Sequence, residues 1–304
     1  MNSHPTVAQI RESLERSGYL MEQRIAPLLE RRGYMVTPNQ EYEDPDTGKS
    51  REIDLHALRL EFLLRKHYDD ILNSTVIASC KNNYLPIVLF THRNPLRGIA
   101  EAMSVSKAGF PLTVERSYGE ESIEPFLGLG DCHHFYKATR IARQYCRIKE
   151  AKVGRNTQSI ADHGDLHTDI DSLIKAVNAD ILGYKPKPEY LRDVQLSKNE
   201  EDGINLNFIY PVVILSGELY ECRQTKKETT IKPSNHIVYV RTVESRLLKG
   251  EFFIDFIRES YLGRYLRQLD REFQFIHRRL KSNRIQLRRN SMREQRTLAA
   301  KQPL

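Results

Sequence analysis

Three charged side chains sit where the pattern around them is apolar. Residues 6–32 repeat Val7, Ile10, Leu14, Met21, Ile25, Leu28 and Leu29 at spacings of three and four, the period of an amphipathic helix. Glu22 lies three residues before Ile25 and seven before Leu29, on the inner stripe of that helix. A carboxylate there is costly unless an arginine pairs with it or it holds a metal ion. Asp54 stands mid-strand in REIDLHALRL (51–60), where Ile53, Leu55 and Ala57 alternate with Glu52, Asp54 and His56. Glu52 and Asp54 are two residues apart and face the same side, so their charges repel unless a cation lies between them. Ligation by oxygens alone suits Mg²⁺, which uses one or two protein carboxylates and keeps several waters. An exposed polar strand face accounts for the same pair without a metal. Lys81 closes VIASCK (76–81) on the face of Ser79, while Val76, Ala78 and Cys80 point the other way. Such a lysine either snorkels to solvent or stands beside a metal site and orients a water.

The elements that must position these groups follow from the rest of the pattern. Gly33 stops the first helix, and 34–42 reads as extended, with Pro38 arguing for an edge strand or a bulge. DPDTG (44–48) is a turn, and the polar stretch 59–73 after the strand at 51–60 is expected to be helical. STVIASCK (74–81) and PIVLFT (86–91) are strands of a sheet buried on both faces. Residues 97–109 read as a short helix ended by Gly109, and 131–182 as mostly helical. YKPKPEY (184–190) breaks any helix. Strands follow at 204–222, turning at Ser216-Gly217, and at 236–243. From Glu251 to about Arg296 a helical stripe runs through Phe252, Phe253, Phe256, Ile257, Tyr261, Tyr265, Leu266 and Leu269. Strands separated by helices imply an α/β sandwich with a mixed sheet.

A helix carboxylate, a turn, a strand Asp, a strand Lys and an apolar strand follow one another in GYLMEQRIAPLLERRGYMV, REIDLHA and VIASCKNNYLPIVLFT. In this order the chain resembles the PD-(D/E)xK nuclease superfamily, most closely its restriction-endonuclease-like, resolvase-like branch. The resemblance covers roughly residues 6–92 and extends into the strands at 204–243. It implies a three-layer core, a central mixed sheet flanked by helices. Residues 1–250 would form this core, with a largely helical insertion at about 131–195, and 251–304 a basic helical extension. It implies that Glu22 and Asp54 support Mg²⁺ or Mn²⁺, with the backbone carbonyl of Cys80 as a further ligand, and that Lys81 positions the attacking water. The chemistry would be phosphodiester hydrolysis.

Ser79 departs from the family's pattern, standing where an acid is expected two residues before the lysine. Two acids are candidates to compensate: Glu101, on the helix expected after PIVLFT, and Glu52, beside Asp54. The first rival reading is a nuclease-like fold that lost catalysis and still binds DNA. The second is an interaction protein whose C-terminal helix pairs with a partner.

Charge supports a polyanion partner. The 304 residues hold 47 Lys+Arg and 40 Asp+Glu, net +7, yet residues 264–301 alone carry twelve bases against Asp270, Glu272 and Glu294. The rest of the chain is slightly acidic. Arg267, Arg271, Arg278, Arg279, Lys281, Arg284, Arg288 and Arg289 are the expected phosphate contacts, with double-stranded DNA the expected partner. The sequence has no evident base-reading module, so contact with the backbone is expected. A second basic run, HHFYKATRIARQYCRIKE (133–150), has near-helical spacing and reads as a DNA-facing or solvated helix. Two-strand cutting makes a homodimer plausible on chemical grounds. No apolar run approaches the ~20 residues of a membrane span, and the N-terminus has no secretory pattern, so a cytoplasmic protein is expected. The four cysteines lie far apart and do not form a disulfide framework. Two further clusters carry weak metal signals. His163 and His167 lie among aspartates that suit a helix N-terminus. Asp131, Cys132, His133 and His134 with Cys146 match no zinc-finger spacing.

Overall fold

The computed structural model describes residues 4–17, 19–64, 67–83, 85–101, 103–153, 156–162, 164–185, 203–245 and 248–301. Two helices open the chain, α1 (Val7–Ser17) and α2 (Tyr19–Glu30), followed by β1 (Met35–Glu43), β2 (Ser50–Leu64) and β3 (His67–Lys81). Then come β4 (Ile87–Arg93), β5 (Lys107–Phe110), β6 (Thr113–Arg116), β7 (Gly119–Ser122) and three short helices, α3 (Ile123–Leu127), α4 (Leu129–Cys132) and α5 (His134–Lys137). A long hairpin, β8 (Arg140–Val153) and β9 (Asn156–Asp162), leads to α6 (Leu166–Gly183). The chain returns to the sheet with β10 (Asn205–Leu215), β11 (Leu219–Gln224), β12 (Thr229–Pro233), β13 (His236–Glu244) and β14 (Lys249–Arg258). It ends in α7 (Leu262–Ser282) and α8 (Arg284–Ala300).

One mixed sheet runs in the order β1-β2-β3-β10-β14-β13-β8-β4-β11-β12, with β5 added to β10 and β9 to β8. β1, β2 and β3 are antiparallel neighbours, whereas β3, β10 and β14 run parallel. Apolar clusters cover both faces. On one, Met21, Ile25 and Leu29 of α2 and Tyr265, Leu269 and Phe273 of α7 pack on Leu55, Ala57, Val76, Ala78 and Phe253. On the other, Ile170, Leu173, Ile174 and Val177 of α6 pack on Ile77, Ile209, Val213 and Phe256. The expected α/β architecture, a large mixed sheet between helices, is therefore present. Pro38 lies in the edge strand β1, where a missing N–H is tolerated.

Four expectations about local structure are overturned. The helix at 59–73 does not form; β2 and β3 extend through most of this stretch. Its polar residues find partners within the sheet's surroundings: Arg59 pairs with Asp270 at 2.9 Å, the Asn73 amide nitrogen donates to Asn205 at 3.0 Å, and Asp70 pairs with Arg284 and Arg288. The helix at 97–109 is a run of turns followed by β5. Gly109 has φ +94° and a Cβ there would strike the Asn205 carbonyl, so the glycine permits strand contact rather than ending a helix. The largely helical insertion is instead rich in strand, and the basic run at 133–150 lies mostly in β8. A register shift against β4 lets Ala142 and Tyr145 share a buried cluster, a spacing of three that imitates a helix. Finally, the C-terminal helical stripe begins as β14. Phe252 and Phe256 face one cluster and Phe253 and Ile257 the other, as in a strand buried on both faces. The proposed linker at 184–190 lies mostly outside the described residues.

Candidate functional site

The carboxyl ends of β3 and β10 lie side by side, and the antiparallel β2 brings its N-terminal half to the same end. The β2–β3 ladder begins at Leu55 with Ala78. Just beyond that pair the Asp54 carboxylate accepts from the Cys80 amide at 2.6 Å and from the Ser79 hydroxyl at 3.4 Å. Lys81 points to the α6 side, where its Nζ lies 2.8 Å from Oδ1 of Asp169; each of the two side chains keeps about a quarter of its surface exposed, 28% and 25%. Glu22 approaches from α2. Its carboxyl is held above the ordinary value, chiefly by burial and then by the Asp54 charge, with Lys81 acting the other way. The charges of Asp54 and Lys81 therefore reach Glu22.

Asp54 of β2 and Lys81 of β3 thus stand at this end of the sheet, Lys81 is paired with Asp169 of α6, and the charges of Asp54 and Lys81 act on Glu22 of α2. Cys80 is buried beside them and offers its amide to Asp54; its thiol is pushed well above its ordinary value, first by burial and then by Asp54 and Glu22. The two acids expected to replace the one missing at Ser79 have other surroundings. Glu52 is exposed and opposite Glu41 across the β1–β2 ladder. Glu101 is an exposed turn residue whose charge acts on Tyr136, and the helix expected to carry it is absent. Asp169, in the first turn of α6, stands at the lysine instead. In the sequence it is one of the aspartates around His163 and His167 that suit a helix N-terminus. Its distance along the chain from Lys81, across strands β4 to β9, left no local spacing to mark it.

The basic tail divides into two groups. Arg288 is 8% exposed, and with Arg284 it grips the fully buried Asp70 of β3, Arg288 Nη1 lying 3.1 and 3.2 Å from its two oxygens. These two arginines anchor α8 to the sheet, so they are not phosphate contacts. Arg267, Arg271, Arg278, Arg279, Lys281 and Arg289 are exposed, although Arg279 also donates to the Leu127 carbonyl at 3.1 Å. Arg271 and Arg278 line a cavity of about 1030 Å³ together with Lys137, Arg140 and Arg223. In β8, Arg140 pairs with Glu221, Arg143 with Glu251, and Arg147 and Lys149 with Asp162, so that strand is a salt-bridged surface rather than a DNA-facing helix.

A second polar constellation, of which the sequence marked only His134, is buried against the other face of the sheet. His134 reaches Glu272 with Nδ1 at 2.9 Å and Asp255 with Nε2 at 2.8 Å. His236 Nε2 at 2.6 Å and the Tyr265 hydroxyl at 2.7 Å also hold Asp255. Burial disfavours a charge on His134, but the two carboxylates outweigh it and raise its pKa to about 10. Burial acts to raise Asp255 as well, and His134 and His236 reverse this, holding it below the usual carboxylate range. Cys146, part of the cysteine–histidine set considered in the sequence, lies in β8 and its thiol is raised by burial and then by Cys222. His163 lies outside the described residues, and His167 pairs with Asp171 at 3.3 Å on the exposed side of α6. No described helix is long and apolar enough to cross a membrane. The chain matches no family model, no curated protein and no solved structure in the three comparisons made with it.

Proposed function

We propose that the protein is a metal-dependent nuclease that hydrolyses phosphodiester bonds in DNA, built on a restriction-endonuclease-like core. The observation that carries this reading is the placement of Asp54 and Lys81 at one end of the sheet, with Asp169 paired to Lys81 and Glu22 within reach of both charges. The order α2, β1, β2, β3, α6, β10, with neighbours β1-β2-β3-β10 in the sheet, is compatible with the core that the resemblance implies.

The donor set fits a hard divalent cation. Glu22 and Asp54 are both carboxylates, and the Asp54 charge makes ionisation of Glu22 harder, the situation a cation between them relieves. They would hold Mg²⁺ or Mn²⁺, and when bound the ion supplies Lewis-acid stabilisation of charge on the scissile phosphate. Asp54 is oriented by the Cys80 amide and the Ser79 hydroxyl, so Ser79 acts as a positioning donor rather than as the missing acid. Lys81 offers an ammonium group that orients the attacking water and offsets negative charge as it develops. Asp169 fixes Lys81 and supplies the acid that Ser79 lacks. The exposed arginines of α7 and α8 contribute contacts to the phosphate backbone without reading bases.

The test is cleavage of plasmid DNA by purified protein with Mg²⁺ or Mn²⁺ and with EDTA. Nicking or cutting only with the metal is expected. Protein that binds DNA yet is inert with either metal contradicts the catalytic reading and favours a nuclease fold retained for binding alone.

A further inference from the structure

The buried cluster around Asp255 lies on the face of the sheet opposite Lys81 and takes no part in the nuclease chemistry. Asp255 is in β14, and its partner Val238 packs with the α2 and α7 side, whereas Ile77, next to Ser79, packs with α6. Asp255 is fully buried, Glu272 is 2% exposed and His134 is 4% exposed. His134 and His236 both border the cavity of about 1030 Å³, so solvent has a route to the cluster.

The electrostatics of this cluster are unusual. Asp255 and Glu272 bring two negative charges into the interior, and the hydrogen bonds from His134 supply at most one positive charge between them. A neutral imidazole has one N–H and one lone pair, yet both nitrogens of His134 face a carboxylate. One of the two sides therefore needs a proton or a metal, and the Nε2 side, where His236 also meets Asp255, is the one that offers further ligands. A metal ion answers the rest of the geometry as well. Nδ1–H of His134 donated to Glu272 fixes the tautomer that leaves Nε2 free as a ligand, the carboxylate–histidine support common around bound metals. Asp255 joins the two imidazoles, Oδ2 lying 2.8 Å from His134 Nε2 and Oδ1 2.6 Å from His236 Nε2, and one ligand atom from each of the three residues lies within 4.8 Å of the others. The Tyr265 hydroxyl donates to Oδ2 of Asp255, the oxygen that also faces His134.

We propose that His134, His236 and Asp255 form a site for one divalent transition-metal ion of the zinc or ferrous class, with an open coordination position facing the cavity. Two imidazoles and one carboxylate suit such ions better than Mg²⁺, which prefers oxygen alone. Metal bonds of about 2.0–2.2 Å separate neighbouring donors by roughly 3.3 Å in a tetrahedral set. The present separations of 2.6 and 2.8 Å would open by about half an ångström or slightly more as the shared protons leave to solvent. His236, 18% exposed at the cavity wall, has room for that movement. His133 is the less suitable ligand. Its Nδ1 already accepts from the Phe135 amide, and its ring stacks against those of both His134 and Tyr210.

The test measures metal content, so its outcome is independent of nuclease activity. Asp54→Asn in the full-length chain removes the rival carboxylate site. This variant, loaded with Co²⁺ and desalted, is expected to retain one equivalent of cobalt with the visible bands of imidazole ligation, and Zn²⁺ should displace it. Adding His236→Asn, at the more exposed ligand, should abolish retention while circular dichroism shows a folded protein. No retained cobalt in Asp54→Asn, or full retention after His236→Asn, overturns the proposal.

Discussion

Replacing Asp70 with alanine separates the arginines that build the fold from those available to DNA. Asp70 is wholly buried in β3 and accepts from Arg284, Arg288 and the Ile204 amide. Removing its carboxylate takes this ion pair from the Arg288 guanidinium, whose side chain is only 10% exposed, and leaves the Ile204 amide without this acceptor. Breaking a buried ion pair from one side costs about 3–5 kcal/mol, and the lost backbone hydrogen bond about 1 kcal/mol more. Arg284 at 16% side-chain exposure recovers some hydration, so a net loss of about 4 kcal/mol is expected. That is roughly a thousandfold in the folding equilibrium and a large share of a typical 5–15 kcal/mol stability. Urea unfolding followed by tyrosine fluorescence suits a chain with 15 tyrosines and no tryptophan. Arg278→Ala, at an exposed position, should stay within about 0.5 kcal/mol of wild type. The double variant Asp70→Leu/Arg288→Met should recover most of the loss, since apolar groups often replace a buried pair without penalty. A cost below about 1 kcal/mol for Asp70→Ala, or an equal cost for Arg278→Ala, refutes the reasoning.

Three further outcomes follow from the same geometry. Arg271→Ala and Arg278→Ala should each lower the slope of log affinity against log salt by about one in DNA binding; an unchanged slope removes them as phosphate contacts. Asp169→Asn should slow DNA cleavage about a hundredfold, while Glu52→Ala and Glu101→Ala remain within a few fold of wild type, because only Asp169 meets Lys81; the reverse ranking in a cleavage assay rejects Asp169 as the replacement acid. Asp44 ties the β1–β2 turn to α6 through Lys175 at 3.1 Å. Burial raises its pKa, but Lys175 and the backbone amides of Asp46 and Thr47 bring it below the ordinary value. Its folded pKa is thus depressed, so its contribution is present above about pH 3.9 and disappears as the pH falls through the folded value. Lys175→Met should flatten that acid loss in pH-dependent unfolding, and an unchanged acid limb contradicts the assignment.

The parts of the site that depend on local pattern were legible in the sequence. Strand alternation put Ser79 and Lys81 on one face of β3 and Asp54 beside them, and helical periodicity turned Glu22 inward. What escaped depends on contacts distant in sequence. Arg59, Asp70 and Asn73 looked solvent-facing because their partners lie 132–218 residues away, in β10, α7 and α8. A bulge in β8 and the two-sided burial of β14 imitate helical spacing, since both bring residues three or four apart into one apolar cluster. Arg284 and Arg288 added to a visible excess of positive charge that burial then partly consumed. Asp169 and the Asp255 cluster assemble only once α6, β14 and α7 have packed on the sheet.

Single-turnover cleavage of a labelled duplex by wild type and by Lys81→Ala, at protein concentrations that bind all of the DNA, tests the proposed active site most directly. Equal binding, Mg²⁺- or Mn²⁺-dependent cutting by wild type and a rate at least about a hundredfold lower for Lys81→Ala are expected. Equal rates for the two proteins, or bound duplex left intact by wild type with either metal, contradict the account.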